Sequence, residues 1–203
     1  RTAVVHEAPV LLEHATVAEN RVGERYMLLV TTTEATKNVD LLFAALKLLR
    51  QEGRHWHCIL VGRDRSGRLA EFLAGEPNIN LTHVPHASET ELISLYRNAR
   101  CYINTSLAEG FCLPVLEAQS QGAPVICSDL PVLHEVAGDG ALFIEPRDPH
   151  ALKEAIVRVF DDEGLATDLS ERGRRNAAKF SWRKAAEETA ILCEQAASKR
   201  KSA

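Results

Sequence analysis

Two glutamates eight residues apart, Glu109 and Glu117, enclose Gly-Phe-Cys-Leu-Pro-Val-Leu. Gly110 lets the chain turn tightly, and Pro114 suits the first turn of a helix, where its missing N–H costs nothing. The amides of Phe111, Cys112 and Leu113 then become uncapped donors at a helix start. There the macrodipole supplies about half a positive charge, a natural seat for a diphosphate. Carboxylates do not bind phosphate; they accept hydrogen bonds from hydroxyls, and charge-assisted bonds of this kind are worth roughly 1.5–3 kcal/mol each. A diphosphate between two carboxylates implies a ligand with hydroxyls at both ends, ribose on one side and a sugar on the other. Taken singly, Glu109 also reads as a loop charge and Glu117 as an electrostatic helix cap; Gly110, Pro114 and the helix start together favour the ligand reading.

The elements that must hold this segment are legible as alternating short apolar runs and amphipathic stretches, the pattern of βαβ units around a parallel sheet. Strands are predicted over Tyr26–Thr31, His57–Val61, Ile79–Val84, Cys101–Asn104, Pro124–Cys127 and Ala141–Ile144. Val39, Leu42, Phe43, Leu46 and Leu49 recur at helical spacing, as do Leu92, Leu95 and Tyr96. From Pro149 the pattern is helical only, over Pro149–Asp161, Glu163–Lys179 and Ser181–Ala197, with Ser181 as an N-cap. The fold class is therefore α/β, a Rossmann-like parallel sheet of six strands with helices on both faces. Its organisation reads as a weakly patterned segment 1–25, a domain over 26–180, and a last helix with a basic tail over 181–203. In an open parallel sheet ligands sit at the carboxyl ends of strands, and the loops there carry Lys37, His86 and Glu109.

The 203 residues suffice for one sizeable core, and the net charge of −4 argues against a nucleic-acid surface built on bulk positive charge. The five cysteines are scattered without a CxxC, as expected of reduced, mostly buried thiols in a cytoplasmic protein. No secretory signal is read at the start, and the longest apolar stretch, Leu41–Leu49, carries Lys47 and is too short to span a bilayer. The chain opens at Arg1 without a Met, which suggests a fragment.

The segment Glu109-Gly-Phe-Cys-Leu-Pro-Val-Leu-Glu117 resembles the E-x7-E motif of retaining GT-B glycosyltransferases of the family 4 type. The likeness runs from about Tyr26 to about Ala190. It takes in Lys37-Asn38, the stretch Ser128–Gly138 and Phe180-Ser-Trp182. The resemblance implies the C-terminal half of a GT-B fold, holding a nucleoside-diphosphate sugar such as a GDP- or UDP-hexose, with mannose favoured by overall likeness. It implies that Glu109 contacts the donor sugar, Glu117 the ribose, the amides from Gly110 to Leu113 the diphosphate, and Lys37 the departing phosphate. The nucleobase would rest against Val84 to His86. Lys37 and Glu109 are thus the catalytic candidates. The acceptor, a glycan or a lipid-linked one, would be bound by an N-terminal domain outside this chain. The resemblance implies neither cofactor nor metal, and no Asp-x-Asp occurs. A cytoplasmic location is expected, with peripheral association at the inner membrane face left open and polysaccharide biosynthesis the broader setting.

Three departures from the family pattern stand out. Thr31-Thr32-Thr33 occupies the end of the first strand and Thr36 precedes the lysine, where the family carries arginine, and Cys112 replaces a common glycine. That cysteine is expected to keep φ negative, and its place at a helix start to lower its pKa. His55 and His57 share a strand face without a third metal ligand, and His83 is expected only to pack. Glu135 matches a glutamate frequent in the family, with packing, capping or ligand contact all open. Two alternatives remain: a nucleotide-sugar epimerase of the same fold, or a sugar-nucleotide-binding module without turnover.

Overall fold

A computed structural model describes residues 4–9 and 25–201, and all that follows concerns these. Most of the predicted segment 1–25 lies outside them. Six strands alternate with helices: β1 (Tyr26–Val30), α1 (Val39–Gln51), β2 (His57–Val61), α2 (Arg68–Gly75), β3 (Leu81–Val84), α3 (Glu89–Asn98), β4 (Cys101–Asn104), α4 (Leu113–Gln121), β5 (Val125–Ser128), α5 (Pro131–Ala137) and β6 (Ala141–Ile144). Three consecutive helices close the chain: α6 (Pro149–Asp161), α7 (Glu163–Ala177) and α8 (Trp182–Lys201).

All neighbouring strands are parallel, in the order β3-β2-β1-β4-β5-β6. Helices on both faces explain why the strands are near-continuous apolar runs. Along β1, Met27 and Leu29 point into a core shared with α1 and α6, while Tyr26 and Leu28 point into one shared with α3, α4 and α5. Phe43 of α1 stacks on Phe72 of α2 at 4.1 Å, and Trp56 on Phe160 of α6 at the same distance.

Local signals set most boundaries. Ser88 caps α3 with a full capping box, its hydroxyl accepting from the Glu91 amide while the Glu91 carboxylate accepts from the Ser88 amide. Asp148 and Asp162 cap α6 and α7. Ser181 Oγ accepts from the Lys184 amide at 3.4 Å at the start of α8. The structure trims β3 to Leu81, moves β5 on by one residue, ends α7 at Ala177 and carries α8 through to Lys201. The basic stretch expected as a solvated terminus is thus helical to Lys201. Among the described residues no helix is long and apolar enough to cross a membrane.

The strand order reverses between β1 and β4. Their carboxyl ends open the crevice where ligands of doubly wound sheets bind.

Candidate functional site

The loop after β1 and the loop after β4 meet at this crevice. Lys37 ends a 3₁₀ turn (Ala35–Lys37), and Asn38 follows at φ 51, its side-chain amide donating to the Pro146 carbonyl at 2.7 Å. Thr105 Oγ1 donates to the Lys37 carbonyl at 2.8 Å, and the Leu107 amide to the Thr36 carbonyl at 2.8 Å. These ties hold Lys37 against the loop that carries Glu109.

Lys37 Nζ donates to Glu109 Oε1 at 2.9 Å and Oε2 at 3.0 Å. Glu109 Oε1 also accepts from Ser106 Oγ at 2.6 Å and from Asn104 Nδ2 at 3.5 Å. Its side chain is only 10% exposed. Removing a carboxylate this far from water is costly unless it is paired, and Lys37 pairs it. The buried Asn104 organises the turn further, its Oδ1 accepting from the Ser106 amide at 3.2 Å and its Nδ2 reaching Cys112 Sγ at 3.3 Å. Sequence reasoning missed Asn104 and Ser106; their signal was the run of short polar side chains directly after a buried strand.

The amides of Phe111, Cys112 and Leu113 donate to no carbonyl or side chain among the described residues, and α4 carries no side-chain cap. An uncapped helix start at a crevice is a place where backbone donors could meet an anion. The tight turn is made differently from expectation. Gly110 does not use positive φ, whereas Cys112 sits at φ 81, ψ 65, the left-handed region where a Cβ costs about 1–2 kcal/mol. The thiol is buried among core side chains, and that packing offsets the strain. Its pKa is not lowered: burial first, then the nearby Glu109 charge, pushes it up to about 12. The helix start cannot outweigh loss of solvent around a thiolate.

Two pockets meet on Glu109, Cys112 and Pro114. The inner one, about 390 Å³, is lined by Thr31, Thr32, Lys37, Gly62 and His86 among others. The outer one, about 630 Å³, is lined by Gly110, Phe111, Leu113, His6 and Glu135 among others. Thr31 and Thr32, standing where arginine was expected, face the inner pocket without charge. Glu117 lines neither pocket. It lies in the first half of α4 and accepts from the Tyr96 hydroxyl at 2.9 Å, and burial raises its pKa although that hydrogen bond opposes the shift. Val84 lines neither pocket; its carbonyl accepts from the Gly62 amide at 2.9 Å. His83 does more than pack, its Nε2 lying 2.8 Å from the Gly62 carbonyl. Of the residues singled out from sequence, Lys37, His86, Glu109 and the turn 110–113 thus surround one pair of pockets.

A doubly wound α/β protein with a lysine–glutamate pair and unpartnered helix-start amides at its switch point is the class that fold and site define. Residues 13–176 match the family model described as glycosyl transferases group 1, and the chain belongs to that family. It is 35% identical over 164 residues to the O-antigen chain mannosyltransferase B of Escherichia coli, covering 77% of this chain and 42% of that protein. It is 33% identical over 184 residues to the MMP alpha-(1->4)-mannosyltransferase of Mycolicibacterium hassiacum, covering 88% and 44%. Its structure resembles sucrose-phosphate synthase from Thermosynechococcus elongatus with a TM-score of 0.75 at 27% identity, covering 87% of this chain and 46% of that one. The six-strand Rossmann-like fold is that of its GT-B glycosyltransferase neighbours. The chain spans less than half the length of these relatives.

Proposed function

We propose that this chain is the C-terminal, donor-binding domain of a retaining family 4 glycosyltransferase that moves a hexose from a nucleoside-diphosphate sugar to a glycan or lipid-linked acceptor. The observation that carries the reading is that Lys37 and Cys112 line one pocket at the start of α4, where the amides of residues 111–113 have no partner among the described residues. The names of both curated relatives favour mannose as the sugar. The acceptor would be held by the other half of a longer protein, so this chain alone is expected to bind donor without turnover. A lipid-linked acceptor would bring that protein to a membrane face.

Breaking the anomeric C–O bond leaves charge on the diphosphate, and stabilising that charge is the main catalytic task. Lys37, once shared with the phosphate, and the α4 start would supply that positive potential. Donor entry would make the β-phosphate share Lys37 with Glu109, freeing a carboxylate oxygen for a sugar hydroxyl. Glu117 would accept from the ribose, keeping Tyr96 as its anchor, and the base would rest by Val84–His86. The departing phosphate would take the acceptor proton, so no protein base is assigned on this half.

Thermal unfolding of the chain with GDP, UDP and ADP and with their hexose derivatives tests the reading. At a hundredfold excess over Kd, binding stabilises by about 2.7 kcal/mol, a rise of about 5–10 °C for a chain this size. At least one nucleotide should produce it, and Glu117→Ala should shrink it. No shift with any of them would overturn the assignment.

A further inference from the structure

Of the carboxylates around the amide turn, Glu109 is already engaged by Lys37, Ser106 and Asn104 and is nearly buried. Glu135 of α5 is different. One of its oxygens lies 2.6 Å from His6 Nε2, its other oxygen has no partner among the described residues, and its side chain is 57% exposed. It lines the outer pocket, whose wall includes the turn 110–113. His6 comes from residues 4–9, a segment anchored by the buried Ala8. Its ring stacks on Phe111 at 6.0 Å and 25° and meets Phe180 edge-on at 5.9 Å. The histidine is thus fixed between two aromatic rings, and it fixes Glu135 in turn.

We propose that Glu135, oriented by His6, is a further specificity-determining residue of the donor site, accepting hydrogen bonds from hydroxyls of the transferred sugar in the outer pocket. This rests on the donor-binding reading above. A carboxylate with an open oxygen repels phosphate and accepts from hydroxyls. A ligand that meets both the amides of the turn and Glu135 must therefore carry its anion and its hydroxyls at different ends. The carboxylate also fixes polarity, with the diphosphate at α4 and the hydroxylated ring toward α5. His6 is a positioning residue, holding the Glu135 side chain where a hydroxyl can reach it.

Calorimetric titration of GDP, UDP and ADP against GDP-mannose, UDP-glucose and ADP-glucose tests this on the wild-type chain, Glu135→Ala, Glu135→Gln and His6→Ala. The readout is the ratio of nucleotide Kd to sugar-nucleotide Kd. For the base that binds, Glu135→Ala should lower that ratio about tenfold while changing the affinity for the nucleotide alone by no more than about twofold. Glu135→Gln, which keeps an acceptor oxygen, should recover part of the ratio, and His6→Ala should lower it less than Glu135→Ala. An unchanged ratio in Glu135→Ala, or equal weakening of both ligands, overturns the proposal and leaves the donor reading standing. So does a wild-type chain whose affinity the sugar does not increase. A wild-type chain that binds none of the six overturns the donor reading, and this one with it.

Discussion

At the residue scale the site is built from side chains placed where they are not most stable. Glu117 is desolvated with one hydroxyl partner, Tyr96, and its pKa is raised. Because the folded state holds the proton more tightly than the unfolded one, the charged form weakens folding as pH rises through the folded pKa. Glu117→Gln removes that cost but keeps an acceptor for Tyr96. We expect the variant to gain on the wild type as pH rises past the ordinary carboxylate range, and to melt higher than the wild type at neutral pH. Its nucleotide affinity should fall over the same range. Thermal unfolding across pH, with and without nucleotide, checks both; a variant less stable at pH 7 than at pH 4 relative to wild type contradicts the account. Cys112 makes the same point through the backbone, a left-handed conformation kept by a buried side chain at the start of α4.

At the element scale the crevice depends on how closely the ends of β1 and β2 approach. The Thr31 amide donates to the Val61 carbonyl and the Gly62 amide to the Val84 carbonyl, carrying the parallel ladder past the strand ends. Gly62 sits at φ 130, and a Cβ there would lie 1.9 Å from the Thr31 carbonyl oxygen. Backbone cannot step aside as a flexible side chain can. Gly62→Ala should therefore cost about 3 kcal/mol, the upper range for overpacking, and splay the inner pocket between Thr31 and Gly62. Urea unfolding measures the cost, and a loss below about 1 kcal/mol would show that the strand ends can part freely. The glycine was legible in the sequence as the end of β2. Its contact with Thr31 was not, because the two residues come from strands separated by all of α1.

At the scale of the whole molecule, α4, α5 and α7 are tied together by a buried polar network. Gln119 of α4 donates to the carbonyls of Ala137 at 2.8 Å and Gly140 at 3.2 Å, and its Oε1 accepts from Asn176 of α7 at 2.9 Å. Asn176 Nδ2 also reaches the Val136 carbonyl at 2.7 Å. The network fixes the far end of the helix whose near end carries the unpartnered amides, and it locks that helix to α5, which carries Glu135. Gln119→Ala and Asn176→Ala each strand buried polar groups and should each cost about 1–3 kcal/mol. Together they should cost less than their sum, since either one already breaks the shared bond. Chemical denaturation of the two single variants and the double variant reads the coupling; strict additivity would refute a network acting as one unit.

The sequence by itself determined the alternation of strand and helix and the α/β class, and it pointed to the segment 109–117 as the place to look for chemistry. Each of these is written in local periodicity, turn residues and spacing along a single stretch of chain. It could not show that Lys37 closes on Glu109 from 72 residues away, nor that the Tyr96 hydroxyl donates to Glu117. It also could not show that Cys112, not Gly110, makes the left-handed turn, or that His6 and Glu135 pair across 129 positions. Those outcomes turn on which strands become neighbours and how much water is left around each charge. Only the packed sheet decides both.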